Sequence, residues 1–294
     1  MDNSSIKVLV TGSNGQLGSE IKSISSNFPR LIFTFTDIDE LDITNSLAVN
    51  SLLHAIKPNF VVNCAAYTAV DKAEQEIEIA TKINSLAPTI IAKACKENNC
   101  RMIHISTDYV FDGESKTPYD ESSTVNPVSQ YGKSKLNGEI AALSTGVCMA
   151  IRTSWLYSSF GNNFVKTIIR NGKIKPELRV VSDQIGCPTY ARDLADVILK
   201  IVSKGQDNFI PEIFHYSNEG VCSWYDFATE IINIAGINCK ISPIGAVDYP
   251  LPAKRPQYSV FNKTKIRDSY QIEIPQWKNS LDNCIELLRK EGLT

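Results

Sequence analysis

Ile6-Lys7-Val8-Leu9-Val10, followed by Thr11-Gly12-Ser13-Asn14-Gly15-Gln16-Leu17-Gly18, decides the fold. The first five residues are a short, mostly apolar run with β-branched members, which reads as a buried strand. Glycines then recur at positions 12, 15 and 18, and Glu20-Ile21 opens an amphipathic segment. A strand, a glycine-rich turn and a helix in that order make a dinucleotide-binding unit. Gly12 permits the tight turn, Gly15 lets backbone approach a pyrophosphate, and Gly18 lets the helix pack close to the strand. The helix N-terminus offers free N–H groups to the phosphates. A glycine triplet alone is often a turn without a ligand; the strand and helix around this one favour the dinucleotide.

The rest of the chain repeats the alternation. Leu31–Thr36 is a second strand and ends at Asp37, nineteen residues past Gly18. An acid there can accept hydrogen bonds from the adenosine ribose, although it can equally cap a turn, as can Asp39 and Asp42. Leu41–Asn45 is expected to open a helix that stops before Pro58. Phe60–Ala66 reads as the next strand, with small residues at its end against which a cofactor could lie. Lys82–Glu97 carries a helical pattern interrupted early by Pro88. Met102–Thr107 is an apolar strand ending in two hydroxyls and Asp108, Gln130–Ser144 a helix, and Val147–Arg152 a further strand.

Such alternation predicts an α/β fold with a doubly wound, Rossmann-like parallel sheet. Ligands on these sheets bind at the carboxyl ends of the strands. Gly12–Gly18, Asp37, Ala65, Thr107 and Trp155 all fall there. Beyond Trp155 the pattern loosens. Helices are expected over Asn162–Arg170, Arg192–Val202 and from a cap at Ser223-Trp224-Tyr225-Asp226 to about Ala235, and strands over Leu178–Val181 and Ile213–Ser217. Prolines at 243, 250, 252 and 256 mark a long irregular crossing, either a loop that closes over substrate or a plain connection. The expected division is a Rossmann domain over 1–155, with returns at about 178–215 and 257–268. A smaller substrate lobe takes 156–177, 216–256 and 269–294.

Within the helix, Tyr131 and Lys135 stand one turn apart on one face. A phenol titrates near ~10 and needs help to act at neutral pH. An ammonium one turn away, joined by a bound cationic nicotinamide, would favour the phenolate by the roughly three units, about 4 kcal/mol, that neutrality requires. On a solvated helix the same spacing is an innocent surface pair. Its meaning depends on the cofactor unit already described.

Composition narrows the classes. At 294 residues, 43% hydrophobic and 21% charged, the chain has an ordinary globular make-up. A net charge of −2 gives no case for nucleic acid or an anionic membrane. No apolar run approaches the roughly 18 residues of a membrane span. The start, Met1–Ser5, has no basic segment followed by an apolar one, so no secretion signal is expected. The eight cysteines (64, 95, 100, 148, 187, 222, 239 and 284) form no Cys-x-x-Cys pair, and His54, His104 and His215 show no metal-ligand spacing. Reduced thiols in a cytoplasmic protein follow from this. No internal repeat or low-complexity tract is present.

The segments TGSNGQLG (11–18), NCAAYTAVDKAE (63–74), STDYVFDG (106–113), YGKSK (131–135), RTSWLY (152–157), GNNFV (161–165), SDQIGCPT (182–189) and RPQYSVFN (255–262) occur in this order. As a set they resemble the extended short-chain dehydrogenase/reductase family over the whole chain, and within it the reductases of nucleotide-linked 4-keto-deoxysugars. That resemblance implies Tyr131 as proton donor to a sugar ketone, Lys135 as its tuner and a nicotinamide-ribose ligand, and Thr107 as a hydrogen-bond partner of the reacting oxygen. Gly15, Gln16, Leu17, Asp37, Asp42, Ile43, Ala65 and Ala66 would line NADPH or NADH, with Gly12 and Gly18 shaping the turn. Thr107, Asp108, Tyr131 and Trp155 would face a dTDP-sugar. Trp155 at a strand end can also be plain packing, and Arg255, which could pair with the substrate diphosphate, can also be simply solvated.

Three further points come with the resemblance. Some of these reductases hold Mg2+ through glutamates at a dimer interface. Glu20 matches one such position, but Arg192 stands where another glutamate is expected, and a cation there would repel the metal. No metal site is therefore expected, and monomer and homodimer both stay open. Two other readings also stand, an epimerase or 4,6-dehydratase of a nucleotide sugar, and a non-enzymatic NADP-binding subunit like that of methionine adenosyltransferase. Against the first, the dehydratases carry an Asp-Glu pair after the threonine, whereas Asp108 is followed here by Tyr109; against the second, Arg152–Trp155 follows the reductase pattern. Asp37 would repel a 2′-phosphate and no arginine directly follows its strand, which leans towards NADH, although the family commonly accepts either cofactor.

Overall fold

The computed structural model describes residues 5–292. Met1 to Ser4, where no secretion signal was expected, lie outside the described residues. Five strands, β1 (Ile6–Thr11), β2 (Leu31–Thr36), β3 (Phe60–Asn63), β4 (Arg101–Thr107) and β5 (Cys148–Thr153), pair in the order β2-β1-β3-β4-β5. Ile213–His215 adds the sixth strand beside β5, and every pairing in the sheet is parallel. The strand order reverses between β1 and β3, which is where an open α/β sheet leaves a crevice for a ligand.

Side-chain alternation explains why the strands are mostly apolar on both faces. Val8, Val10, Phe60, Val62, Ile103 and Met149 point to one face, where Leu17 and Ile21 of helix Gln16–Ile24 and Leu194 and Ile198 of helix Ala191–Ser203 cover them. Leu9, Val61, Met102 and Cys148 point to the other face, under Val49, Leu53, Ile91 and Ala142. With both faces covered, a polar residue inside a strand would be buried without water, hence the near-continuous apolar runs.

Element limits shift slightly from the sequence expectation, each for a local reason. The second helix starts at Ser46, not at Leu41. Asn45 caps it by accepting from the Leu47 and Ala48 N–H groups, and Asp42 holds the preceding turn through Thr44. Pro88 does not break its helix. It sits in the first turn of Ala87–Glu97, and the disturbance moves one turn back into a π-helical turn at Lys82–Leu86. The missing proline N–H leaves the Asn84 carbonyl without its usual helical partner.

A second apolar cluster gathers Phe227 and Ile231 of helix Trp224–Ala235 with Trp277, Leu281 and Ile285 of helix Trp277–Lys290. Glu177–Val181 pairs with Lys240–Ile244 and buries Leu178 and Val180 in this cluster. Of the expected return over 178–215, the part that joins the large sheet is therefore Ala191 onward. Strand 177–181 packs with the smaller body because its partner lies some sixty residues away, beyond the reach of local pattern. Among the described residues no helix is long and apolar enough to cross a membrane, and all eight cysteines are free, seven of them buried.

Candidate active site

One cavity of about 840 Å3 lies at the carboxyl ends of β1 to β5. Its floor is the glycine turn. Gly12 has φ +66°, and a Cβ there would stand 2.6 Å from the Ala65 backbone, so only glycine lets the turn lie against the end of β3. Gly18 does not line the cavity. A Cβ on it would meet the Gly12 carbonyl at 2.4 Å, so glycine here lets the helix pack closely on the turn that follows β1. Helix Gln16–Ile24 begins after Gly15 with no side-chain cap, which leaves its first N–H groups open towards the cavity. Gln16 Oε1 accepts from Asn163 Nδ2 at 3.0 Å, tying the turn to the GNNFV segment.

Asp37 ends β2 and lines the cavity together with Asp42, Ile43, Ala65 and Ala66. One oxygen of Asp37 accepts from the Asn14 N–H at 2.8 Å, so this carboxylate braces the glycine turn as well as facing the space where a ribose would lie. Gly12, Gly15, Gln16 and Leu17 share the lining, and the residues present fit a dinucleotide along this edge.

At the other end of the cavity stand Thr107, Asp108, Tyr131, Lys135 and Trp155. Tyr131 comes from helix Gln130–Leu143, whose first turn is capped by Ser129 Oγ accepting from the Gly132 N–H at 3.1 Å. Asn84, freed by the π turn, donates to Ser134 Oγ and brackets Tyr67, which fixes this helix against its neighbour. The Tyr131 ring takes the Tyr109 ring edge-on, with centroids 5.4 Å apart.

The electrostatics differ from the sequence expectation. Burial pushes the Tyr131 phenol up to about 12, against a hydrogen bond with Thr107 that favours the phenolate. Lys135 does not bring it down. Its Nζ donates to the Ile105 carbonyl at 2.5 Å, and burial pushes its ammonium down to about 8. For both groups desolvation by burial is the dominant influence. The tyrosine is thus held protonated, the state a proton donor needs. Asp108, also buried, is pushed up to about 6 and accepts from Thr107 Oγ1 at 3.0 Å.

The residues from 6 to 290 match the family model described as RmlD substrate binding domain. The chain belongs to that family. It is 38% identical to dTDP-4-dehydrorhamnose reductase of Aggregatibacter actinomycetemcomitans, over 94% of this chain and 97% of the relative. It is also similar to two crystal structures of dTDP-4-dehydrorhamnose reductases. That of Clostridium acetobutylicum has 45% identity and a TM-score of 0.91, with 97% of this chain and all of the other covered. That of Bacillus anthracis, in complex with NADP, has 37% identity and a TM-score of 0.90, with 96% and 99% covered.

Within this RmlD-family chain, Trp155 adopts φ +48°, an uncommon backbone for a bulky residue. Its indole stacks on Trp224 with centroids 3.5 Å apart and planes 9° from parallel. Trp224 itself does not line the cavity; it backs Trp155, and both indoles pack against the second apolar cluster. The sequence reading used Trp224 only as part of a helix cap and missed the stack. Arg255 does not line the cavity. Both terminal nitrogens of its guanidinium donate to Asp71, at 3.0 and 2.9 Å, so it is paired rather than solvated.

Proposed function

We propose that this chain reduces the C4 ketone of dTDP-4-dehydro-L-rhamnose to dTDP-L-rhamnose with NADPH or NADH, supplying rhamnose for a cell-surface polysaccharide. The observation that carries this reading is a protonated tyrosine beside a threonine hydroxyl, in one cavity with an uncapped helix start behind a glycine turn. The relatives' names supply the sugar.

Gly12, Gly15, Gln16 and Leu17 would hold the pyrophosphate, Asp37 the adenosine ribose, and Ala65 and Ala66 the face of the dinucleotide, with Asp42 and Ile43 closing its adenosine end. The bound reduced nicotinamide supplies the hydride. Lys135 would hold the nicotinamide ribose, Thr107 and Tyr131 would bind the ketone oxygen, and Tyr131 would give it its proton as negative charge develops there. Trp155 and Asp108 would flank the sugar, the indole against its apolar side. Arg255 would reach the diphosphate only by leaving Asp71. The test is oxidation of NADPH and NADH, followed by absorbance, with the 4-keto-6-deoxy sugar nucleotide as substrate; no oxidation of either would refute the reading.

Trp155→Ala is expected to leave NAD(P)H affinity intact and raise the Michaelis constant for the sugar nucleotide. Loss of cofactor binding to the same degree would make Trp155 a structural residue instead.

A divalent metal does not fit the residues around Glu20. That carboxylate is fully buried and accepts from Ser158 Oγ at 2.6 Å, while Arg192 Nη1 stands 3.5 Å away. A metal ion would have to displace a guanidinium. Treatment with a chelator should therefore leave turnover unchanged; activity lost to EDTA and restored by Mg2+ would overturn this.

A further inference from the structure

Lys135 is almost fully buried, and a buried ammonium is costly unless an opposite charge stands near. The groups around it come from several elements. Tyr131 and Glu139 lie one turn to either side on its own helix. Cys64 follows β3, and burial pushes its thiol up, so it carries no charge. His104 on β4 is pushed well down by burial and is also neutral. Asp108, past the end of β4, acts on Tyr131 and Tyr109. Ser106 on β4 and Arg152 on β5 both turn towards Glu139.

Glu139 is held from two sides. Its Oε2 accepts from Ser106 Oγ at 2.5 Å and from Arg152 Nε at 3.0 Å, and its Oε1 accepts from Arg152 Nη2 at 2.5 Å. Arg152 is held in turn, with its guanidinium over the Phe111 ring and Nη1 3.4 Å from His215 Nε2. His215 Nδ1 faces the Tyr119 carbonyl at 3.1 Å, so it carries the ring proton and Nε2 is left to accept from Arg152. Burial, then Arg152, push His215 down to about 3, so it is neutral. Two buried cations, Lys135 and Arg152, therefore flank the fixed carboxylate of Glu139.

We propose that Glu139 is a positioning residue for Lys135, a carboxylate clamped by Arg152 and Ser106 one helical turn behind the lysine that keeps its buried ammonium charged. The proposal rests on the role given to Lys135 above. Burial brings Lys135 down to about 8 even with Glu139 beside it, and Glu139 is the foremost influence opposing that fall. With so little margin above neutrality, loss of the carboxylate would discharge the lysine within the working pH range. Lys135 acts while protonated, so lowering its pKa moves the loss of function on rising pH towards acid.

The test compares pH profiles of the whole chain and two variants, from about pH 5.5 to 9. NADPH binding, read by fluorescence, is followed beside kcat/KM. In Glu139→Gln the alkaline limb of both should move towards acid by about one pH unit or more, the usual effect of one nearby charge, with near-normal values at the acid end. Glu139→Gln leaves Arg152 buried without a counter-charge and can impair folding. The double variant Glu139→Gln/Arg152→Met removes both charges of the pair and carries the test in that event; its limb should also be displaced. An unmoved limb in Glu139→Gln overturns the proposal. So does a double variant with the wild-type profile, since the effect would then belong to the stranded Arg152. If the unmodified chain binds NADPH but reduces no 4-keto sugar, the proposed function fails while the binding profiles still decide the role of Glu139.

Discussion

Tyr131→Phe should lower turnover of the 4-keto sugar nucleotide by at least about a hundred-fold, with NAD(P)H affinity nearly unchanged. The phenol is the group placed to protonate the ketone oxygen, and burial holds it protonated up to about 12. It therefore carries its proton throughout the neutral range. Phenylalanine keeps the ring that packs edge-on against Tyr109 but has no proton to give. General acids contribute about 10²- to 10⁴-fold, or about 3 to 5 kcal/mol of the barrier. Lys135→Met should differ in kind, because it removes a ribose ligand as well as a charge and so weakens cofactor binding along with turnover. Turnover in Tyr131→Phe within about tenfold of the unmodified chain would remove Tyr131 from the chemistry.

The contrast between these two variants also marks what the sequence could and could not show. The glycine turn, the buried strands and the position of Asp37 are written in short stretches, because each needs only its own residues and their spacing. Tyr131 and Lys135 are legible as a pair for the same reason. Their protonation is not, because it depends on how much protein closes over them. A lysine one turn away and a bound cationic nicotinamide were expected to favour the phenolate; burial acts against them, raising the phenol and lowering the lysine. The clamp on Glu139 joins a helix to two strands, and no local pattern links position 139 to 106 and 152. Trp224 stacks on Trp155 from almost seventy residues away, and strand 177–181 finds its partner at 240–244. Arg255 looked free in a proline-rich loop because Asp71, its partner, lies in a different turn of the chain. Local chemistry was legible; long-range pairing and desolvation were not.

Incubation with dTDP-glucose and catalytic NAD+ should yield no 4-keto-6-deoxy product, whereas the 4-keto substrate should oxidise one reduced nicotinamide per sugar. A 4,6-dehydratase has to oxidise C4, remove the C5 proton, expel the C6 hydroxyl and return the hydride to the sugar. Removing the C5 proton calls for a base ionised near neutrality, normally a carboxylate. The residues after Thr107 here are Asp108 and Tyr109. Burial pushes the Asp108 carboxyl up to about 6, so it is still mostly ionised at neutral pH, a poor acid for the C6 hydroxyl, and it has no second carboxylate beside it to share the work. Burial drives the Tyr109 phenol far above its ordinary value, and the Asp108 charge drives it further, so Tyr109 cannot take a proton from carbon. Tyr131 is equally locked in its protonated form. The site thus holds one carboxylate and two protonated phenols but lacks the acid–base pair that elimination requires. What remains within its reach is protonation of an oxygen that is receiving a hydride, in a single direction and with net consumption of the cofactor. Formation of the 4-keto-6-deoxy sugar from dTDP-glucose, with the nicotinamide absorbance unchanged at the end, would show that an acid–base pair operates in this cavity and would overturn the assignment of reduction.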